Sequence, residues 1–505
     1  AANAPSAPRI GKARVDFRPP IGKKEGRRRS TGKVHSIFRD LHPETSWSQN
    51  GERVKIDSAD ANGKDETKPD RGIDTMTMQR SLALVAASTG VLLATSLPAL
   101  AGAFGLREQS AEGQGMSFAG VAAGGGGLSS MFWNPATMTD YPGITSSYVG
   151  TGIFPNGSIR PNPLTPTAIF GGSSGTILDG FVPASYGAYQ FNDHLWLGYS
   201  EATPFGLQSK PGSAWAGQVY GRSAKVLSFE VTPSAAYKIN DWISVAAGLQ
   251  VEYFKARFTQ ALGVLPTSPS AILEGDDTSV GYTLGATLKP TPFTEIGLGF
   301  NSSVRESLGG SLTTPLSVLP VKANINLPEK LTFGVRQQIN AQWTLLGGFE
   351  WDNWSRVGIV PVTFNSIPVS EIPFKYKDGY FASLGAEYAW NSALTLRAGV
   401  AYERSPIDTG NREVLLPDAN RIWASVGASY RYSEKLSFDI GYSHGFLAKD
   451  NIAIVPGHPQ FPTVGLPFIA ETRNAHFDIV SAAVTYRWDN PAETIPVTQP
   501  IIRKP

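Results

Sequence analysis

The chain has 505 residues, 41% hydrophobic and 17% charged, with a net charge of +2 and a mean hydropathy of −0.13. The lack of cysteine excludes disulfides, thiolate chemistry and cysteine-based zinc sites. The body of the chain holds no apolar run long enough for a membrane-spanning helix, whereas strands that hide their hydrophobicity in alternation remain open to it.

Residues 1–75 have no periodic apolar pattern and carry Arg27-Arg28-Arg29 among many Pro, Ser, Asp and Lys residues. They read as a disordered leader or as an extension upstream of the true start; a basic tail for nucleic acid is the other reading. Residues 76–101 read as a signal peptide. Arg80 supplies the charge, Leu82 to Leu97 the apolar core, and Ala99-Leu100-Ala101 the small-residue cleavage site. Gly102 is then the expected mature N-terminus. Residues 1–101 hold 17 of the 44 basic and 11 of the 42 acidic residues. The remainder therefore has 27 basic and 31 acidic residues, a net charge of −4.

Residues 102–142 are glycine-rich and precede the first strand pattern. From 143 to 488, fourteen strands are expected, at 143–152, 184–191, 194–203, 225–239, 242–258, 278–290, 294–305, 324–339, 342–355, 378–390, 393–404, 420–432, 435–446 and 475–488. The later ones are plainest. Leu394, Leu396, Ala398, Val400 and Tyr402 alternate with Thr395, Arg397, Gly399, Ala401 and Glu403. Ile422 to Tyr432 and Leu436 to Tyr442 repeat the pattern. Period-two alternation gives strands with one apolar and one polar face. Charges at mid-strand on the polar face and aromatics ending the apolar face suit a membrane barrel with a polar lumen.

Six short turns, among them Asn192-Asp193, Asn240-Asp241, Asn340-Ala341 and Asn391-Ser392, alternate with seven long loops. An even-stranded barrel with both termini in the periplasm sorts its connections this way. The expected fold class is therefore all-β, a 14-stranded antiparallel transmembrane β-barrel, with residues 102–142 as an N-terminal hatch (plug) in the lumen. Residues 489–505 read as a periplasmic tail. A barrel this wide is not filled by its own side chains, so a plug is expected.

The segment Phe132-Trp133-Asn134-Pro135-Ala136, with GAFGLREQSAEGQGMSFAG starting at Gly102, resembles the hatch of the long-chain fatty acid outer-membrane transporters (FadL/TodX type, OmpP1-like). The resemblance continues through Ala323–Leu331, Trp351–Ser355 and Arg397–Tyr432, and covers about Gly102 to Trp488. The tail after Trp488 departs from the family's aromatic C-terminus. The resemblance implies a monomer in the outer membrane of a Gram-negative bacterium. It also implies passive uptake of hydrophobic compounds, long-chain fatty acids or aromatic and aliphatic hydrocarbons, which leave sideways through the barrel wall. Asn134, Pro135 and Ala136 would fix the hatch.

Thr203, Pro204 and Gly206 are candidates for the lateral opening, because Pro lacks the ladder N–H and Gly adds no cross-strand packing. The other reading is that Pro204 simply starts a loop. Leu262, Leu265, Leu316 and Leu319 are candidates for a hydrophobic capture groove in the outer loops. Lys255 and Arg257 match the family segment that supplies a pocket cation, but strand parity puts them on the lipid side as snorkelling cations; both placements stand open. Lys375 is a further candidate. No protease, hydrolase or phosphate-loop motif is present, so an enzyme, a metal site and a cofactor are not expected. Ser443 and His444 are neighbours on one strand and point to opposite faces, which removes them as a hydrolytic pair. The alternatives are a general diffusion porin or structural barrel and, after it, an outer-membrane lipase.

Overall fold

A computed structural model describes residues 102–175 and 177–490. The leader, the signal peptide and the tail from residue 491 lie outside the described residues. The wall is built from fourteen strands: β1 (Ile144–Pro161), β2 (Gly180–Gln190), β3 (Leu195–Ala202, resumed at Gly206–Ser209), β4 (Ser223–Asn240), β5 (Ile243–Ala261), β6 (Ser270–Thr291) and β7 (Thr294–Asn301, resumed at Arg305–Thr313). They continue with β8 (Val318–Asn326, resumed at Lys330–Gln338), β9 (Trp343–Asp352), β10 (Gly379–Ala389), β11 (Leu394–Arg404), β12 (Arg421–Arg431), β13 (Leu436–Leu447) and β14 (Phe468–Arg487). Each pairs antiparallel with its sequence neighbours, and β1 closes on β14 from Thr145↔Arg487 upward.

The short turns share one device. The side-chain oxygens of Asn192, Asn240, Asn340 and Asn391 each accept from the backbone N–H groups two and three residues on, all within 3.0 Å. Such Asx turns reverse the chain without long loops.

The alternation faces as expected. Val400, Tyr402, Ile422, Val426 and Ile440 are half-exposed on the outside, while Glu403, Ser425, Asp439 and Ser443 are buried within. An outward apolar column needs lipid for solvent.

Several strands outrun their sequence pattern. β1 reaches Pro161, β6 begins at Ser270 and β14 at Phe468, and a hairpin (Ile359–Phe364, Ile367–Pro373) adds to β8. Alternation reports contact with lipid, so it fades at the membrane edge while the backbone ladder continues beyond it. β7 and β8, expected unbroken, are each interrupted, at 302–304 and 327–329.

The hatch fills the lumen as a short helix (Ala111–Gln114) followed by 3-10 turns at Val121–Ala123, Gly127–Phe132 and Pro135–Asp140. Its backbone rests on wall glycines. A Cβ on Gly297 would stand 1.7 Å from Ala122 O, on Gly299 1.8 Å from Trp133 O, and on Gly399 2.2 Å from Met116 O. The inward glycines thus mark where the plug touches the wall.

Candidate functional site

The β2–β3 ladder runs from Gln190↔Trp196 to Ser185↔Glu201 and stops. Above that point Gly180–Ala184 of β2 ladders with β1 alone, and Gly206–Ser209 of β3 ladders with β4. Contact resumes higher up, where Leu178 N donates to Gln208 O at 3.0 Å. Among the described residues no backbone hydrogen bond joins residues 179–184 to 202–207. The wall therefore has a window with a closed lower and upper edge. Thr203, Pro204 and Gly206 lie along one side of it. Pro204 interrupts a strand that resumes at Gly206, and it does not begin a loop. Pro supplies no N–H at the break.

The start of the hatch occupies this break. Leu106 N donates to Pro204 O and Gly206 N to Phe104 O, both at 2.8 Å. Gln109 Nε2 donates to Thr203 O at 2.7 Å. These three residues thus satisfy backbone groups that the missing ladder leaves free.

The Phe104 ring closes the other side. Its centroid lies 4.7 Å from Trp354, 5.9 Å from Phe205 and 6.2 Å from Phe374. Above it is a narrow apolar cavity lined by Phe104, Val226, Phe254, Ala256, Leu308 and Phe374 among others. Among the described residues no Lys or Arg lines it; Glu274 borders it, but its side chain stands opposite Arg257 on the outer face and pairs with it there. A second cavity below the ring touches Leu106, Pro204 and Phe205 and reaches the charged belt of the hatch at Arg107 and Lys330.

That belt is tightly paired. Arg107 Nη2 lies 3.2 Å from Glu350 and 3.5 Å from Glu403, and its guanidinium stacks 3.7 Å from the Phe381 centroid. Arg421 pairs with Asp418 and, at 3.4 Å, with Glu403. Lys330 lies 3.4 Å from Glu350. These cations are already engaged, as buried charges must be.

Asn134 is fully buried at the far side of the hatch. Its Nδ2 donates to Ala122 O at 2.7 Å and to Ala286 O of β6 at 2.9 Å, and its Oδ1 caps Ala136 N at 3.0 Å. Pro135 opens the turn that follows. The segment therefore links two parts of the hatch to the wall.

The cation candidates are placed elsewhere. Lys255 is exposed on the outside of β5, and Arg257 beside it pairs with Glu274 at 3.3 Å. Strand parity prevails: Phe254 and Ala256 face the cavity instead. Lys375, too, is exposed, while its neighbours Phe374 and Tyr376 are buried. Leu262, Leu265 and Leu316 are half to almost wholly exposed and line none of these cavities; Leu316 stands at a hairpin tip. Leu319 packs against the apolar cluster under the loops. The groove near the outer loops is lined by Tyr220, Phe258, Leu312, Ile372, Leu415 and Val464, among others.

Phe104, Phe205, Trp354 and Phe374 were not singled out by sequence. The one available signal was Phe104 standing between Ala103 and Gly105, a bulky ring in a segment otherwise able to approach a wall closely.

Ser443 is buried and bonded to Gln114 and Ser425, while His444 lies across the wall, 2.8 Å from Asp478.

Residues 91–487 match the sequence family described as outer membrane protein transport protein (OMPP1/FadL/TodX). The outer membrane protein P1 of Haemophilus influenzae is 26% identical over 407 residues, 71% of this chain and 88% of the relative. The long-chain fatty acid transport protein of Escherichia coli K12 is 24% identical over 457 residues, 78% and 98% of the two chains. Among solved structures, a Pseudomonas aeruginosa FadL homologue superposes with a TM-score of 0.69 at 21% identity, covering 77% of this chain and all of that one. The Pseudomonas putida toluene transporter TodX gives 0.56 at 17% identity, covering 76% and 100%.

Proposed function

We propose, from the premise that the chain belongs to the OMPP1/FadL/TodX family of outer membrane transport proteins, that it carries uncharged hydrophobic compounds into the cell through the window between β2 and β3. It is an outer-membrane protein, and members of its family are transporters. Transport runs down the concentration gradient. The compound enters the apolar cavity from the outer groove, passes Phe104 when the hatch strand moves aside, and leaves through the wall beside Pro204 and Gly206. It needs no cofactor and works as a monomer.

The observation that carries the substrate class is the lining of the cavity. It is aromatic and aliphatic, and the three cations that could have met a carboxylate, Lys255, Arg257 and Lys375, point away from it. A fatty-acid carboxylate buried there would have no partner, which costs several kcal/mol or forces its protonation. A toluene or alkane meets no such cost. Relatives carry names for both substrate kinds: long-chain fatty acid transport in one, toluene transport in another.

The test is uptake of radiolabelled toluene, hexadecane and oleate by cells expressing the chain, beside the double variant Pro204→Ala/Gly206→Val. Hydrocarbon uptake should exceed that of oleate at neutral pH and fall in the double variant. Oleate uptake equal to or above that of both hydrocarbons would overturn the substrate class. Entry of small hydrophilic solutes in place of all three would return the chain to a diffusion porin.

A further inference from the structure

Four cations stand on the outer face of the wall, away from the transport path. In register, Lys225 of β4 lies opposite Arg257 of β5. One outward row lower, Lys255 lies between Leu227 and Asp276. Lys322 of β8 stands on that same row, across Gly309 of β7 from Asp276. The three lysines and Asp276 are exposed, and the Arg257 side chain is 40% exposed. Arg257 pairs with Glu274 through Nε, which leaves both Nη groups free. Among the described residues Lys225, Lys255 and Lys322 make no ion pair and no side-chain hydrogen bond. Like charges directly opposite on a sheet repel each other, so Lys225 beside Arg257 favours a shared anion. The patch sets four positive charges against two negative ones, Glu274 and Asp276.

The height of the patch identifies the anion. Phe229 and Tyr253 face each other on the next row down, and Val231, Val251 and Val280 continue the apolar column beneath them. With a rise of about 3.4 Å per residue and a tilt of about 40°, Lys255 sits about 5 Å above the aromatic row and Arg257 about 10 Å above it. The polar layer on each side of the hydrocarbon is about 5–7 Å deep, so the cations span it. In the outer leaflet of an outer membrane that layer consists of phosphorylated glycolipid. A soluble acidic partner cannot lie flush against this part of the wall, because the membrane fills the space beside it.

We propose that Lys225, Lys255, Arg257 and Lys322 form a docking site for a phosphate group of lipopolysaccharide in the outer leaflet. The lysines supply point charges, and the free Nη groups of Arg257 supply directed donors. A Cβ on Gly309 would meet nothing within 4 Å, so a sugar ring can come close to the sheet between Asp276 and Lys322. The site also flanks the window. Lys225 lies opposite Gln208, and Leu227 opposite Gly206, so the docked lipid stands one strand away from the opening and at its height. Its acyl chains are then among the first surfaces that cargo meets outside. The docking itself rests on the outer-membrane placement and is independent of what is transported.

The test uses the purified full chain in a non-ionic detergent, titrated with diphosphoryl lipid A and read by native mass spectrometry. Wild type should retain lipid A, and retain it less as salt rises. Each cation near an anionic headgroup is worth about fivefold in binding, so Lys225→Gln/Lys255→Gln/Lys322→Gln should weaken retention about a hundredfold. Arg431→Gln/Lys435→Gln, at the opposite rim, should bind as wild type does. Heat-modifiable migration on SDS gels confirms that each barrel is folded. A second arm needs no variant: dephosphorylated lipid A should bind wild type at least tenfold more weakly than the diphosphoryl form. No retention by wild type, equal retention by the folded triple variant, or equal binding with and without phosphates would overturn the proposal. Full displacement of lipid A by millimolar inorganic phosphate would also overturn it, since the patch would then be a site for free anions.

Discussion

Gly299 and Gly309 lie on the same wall strand, β7, yet a methyl group on each meets opposite surroundings. On Gly299 it would stand 1.8 Å from Trp133 O of the hatch; on Gly309 it meets nothing within 4 Å. In Gly299→Ala the hatch backbone must retreat by about 1.6 Å to restore an ordinary contact of 3.4 Å. The strand is held in the wall on both sides, so the hatch is the part that yields. That retreat stretches two bonds beyond use, Asn134 Nδ2 to Ala286 O at 2.9 Å and Asn301 Nδ2 to Phe132 O at 3.3 Å. At about 1 kcal/mol each, the seated hatch loses about 2 kcal/mol. That raises the unseated population about 30-fold. The chain has no cysteine, so Ser129→Cys in the buried hatch gives a single thiol. Its reaction with a hydrophilic maleimide should quicken about 30-fold in Gly299→Ala and stay unchanged in Gly309→Ala. Equal rates in the two variants, with both barrels folded, would refute the claim that wall glycines seat the plug.

Phe104→Ala removes the ring between the cavity and the window and should speed toluene uptake by severalfold; an unchanged rate would show that the ring does not gate the path. Val426, midway along β12 and 56% exposed on the outside, tests the lipid face: Val426→Arg should destabilise the barrel in lipid by about 2–4 kcal/mol, read from urea unfolding in bilayers. Glu413 in the loop between β11 and β12 is buried, and burial raises its pKa above the usual 4.5 even though Tyr376 and Gln460 donate to it. A raised folded pKa means its contribution is full below the ordinary carboxylate range and is lost as pH rises through the folded pKa. Proteolytic nicking of residues 405–419 should therefore quicken with rising pH more in wild type than in Glu413→Gln. The difference isolates Glu413 from nearby His458, whose burial lowers its pKa and acts in the opposite sense.

The barrel was legible because lipid imposes a rule on every second residue of every strand. Leu396, Val400 and Tyr402 carry that rule in their side chains, and Asn192, Asn240, Asn340 and Asn391 mark the turns with one recurring hydrogen-bond pattern. The outer extensions of β1, β6 and β14 were not legible, since ladder bonds above the membrane are made by backbone and ask nothing of side-chain polarity. The break at Pro204 was visible in the sequence because Pro removes a donor. What fills the break was not. The bonds to Phe104 O and Leu106 N come from the backbone of a segment almost a hundred residues away, and backbone has no sequence signature.

The residues lining the cavity were the least legible, and parity explains why. In Tyr253-Phe254-Lys255-Ala256-Arg257-Phe258 the charges alternate with the apolar residues, so one face must be polar and the other apolar. Similarity to a family segment draws attention to the charges. The strand permits only one set inward, and β5 enters the outer half of the barrel with Phe254 and Ala256 inside, in continuous register with β4 and β6. Bringing Lys255 or Arg257 inward would need a bulge, since a one-residue slip reverses every side chain above it. The ladder from Ile243↔Leu288 to Ala261↔Ser270 has none. The charged column is therefore fixed outside by the same register that makes the lipid face below it apolar. An apolar cavity without a cation follows from barrel geometry here, and the proposed preference for uncharged cargo rests on it.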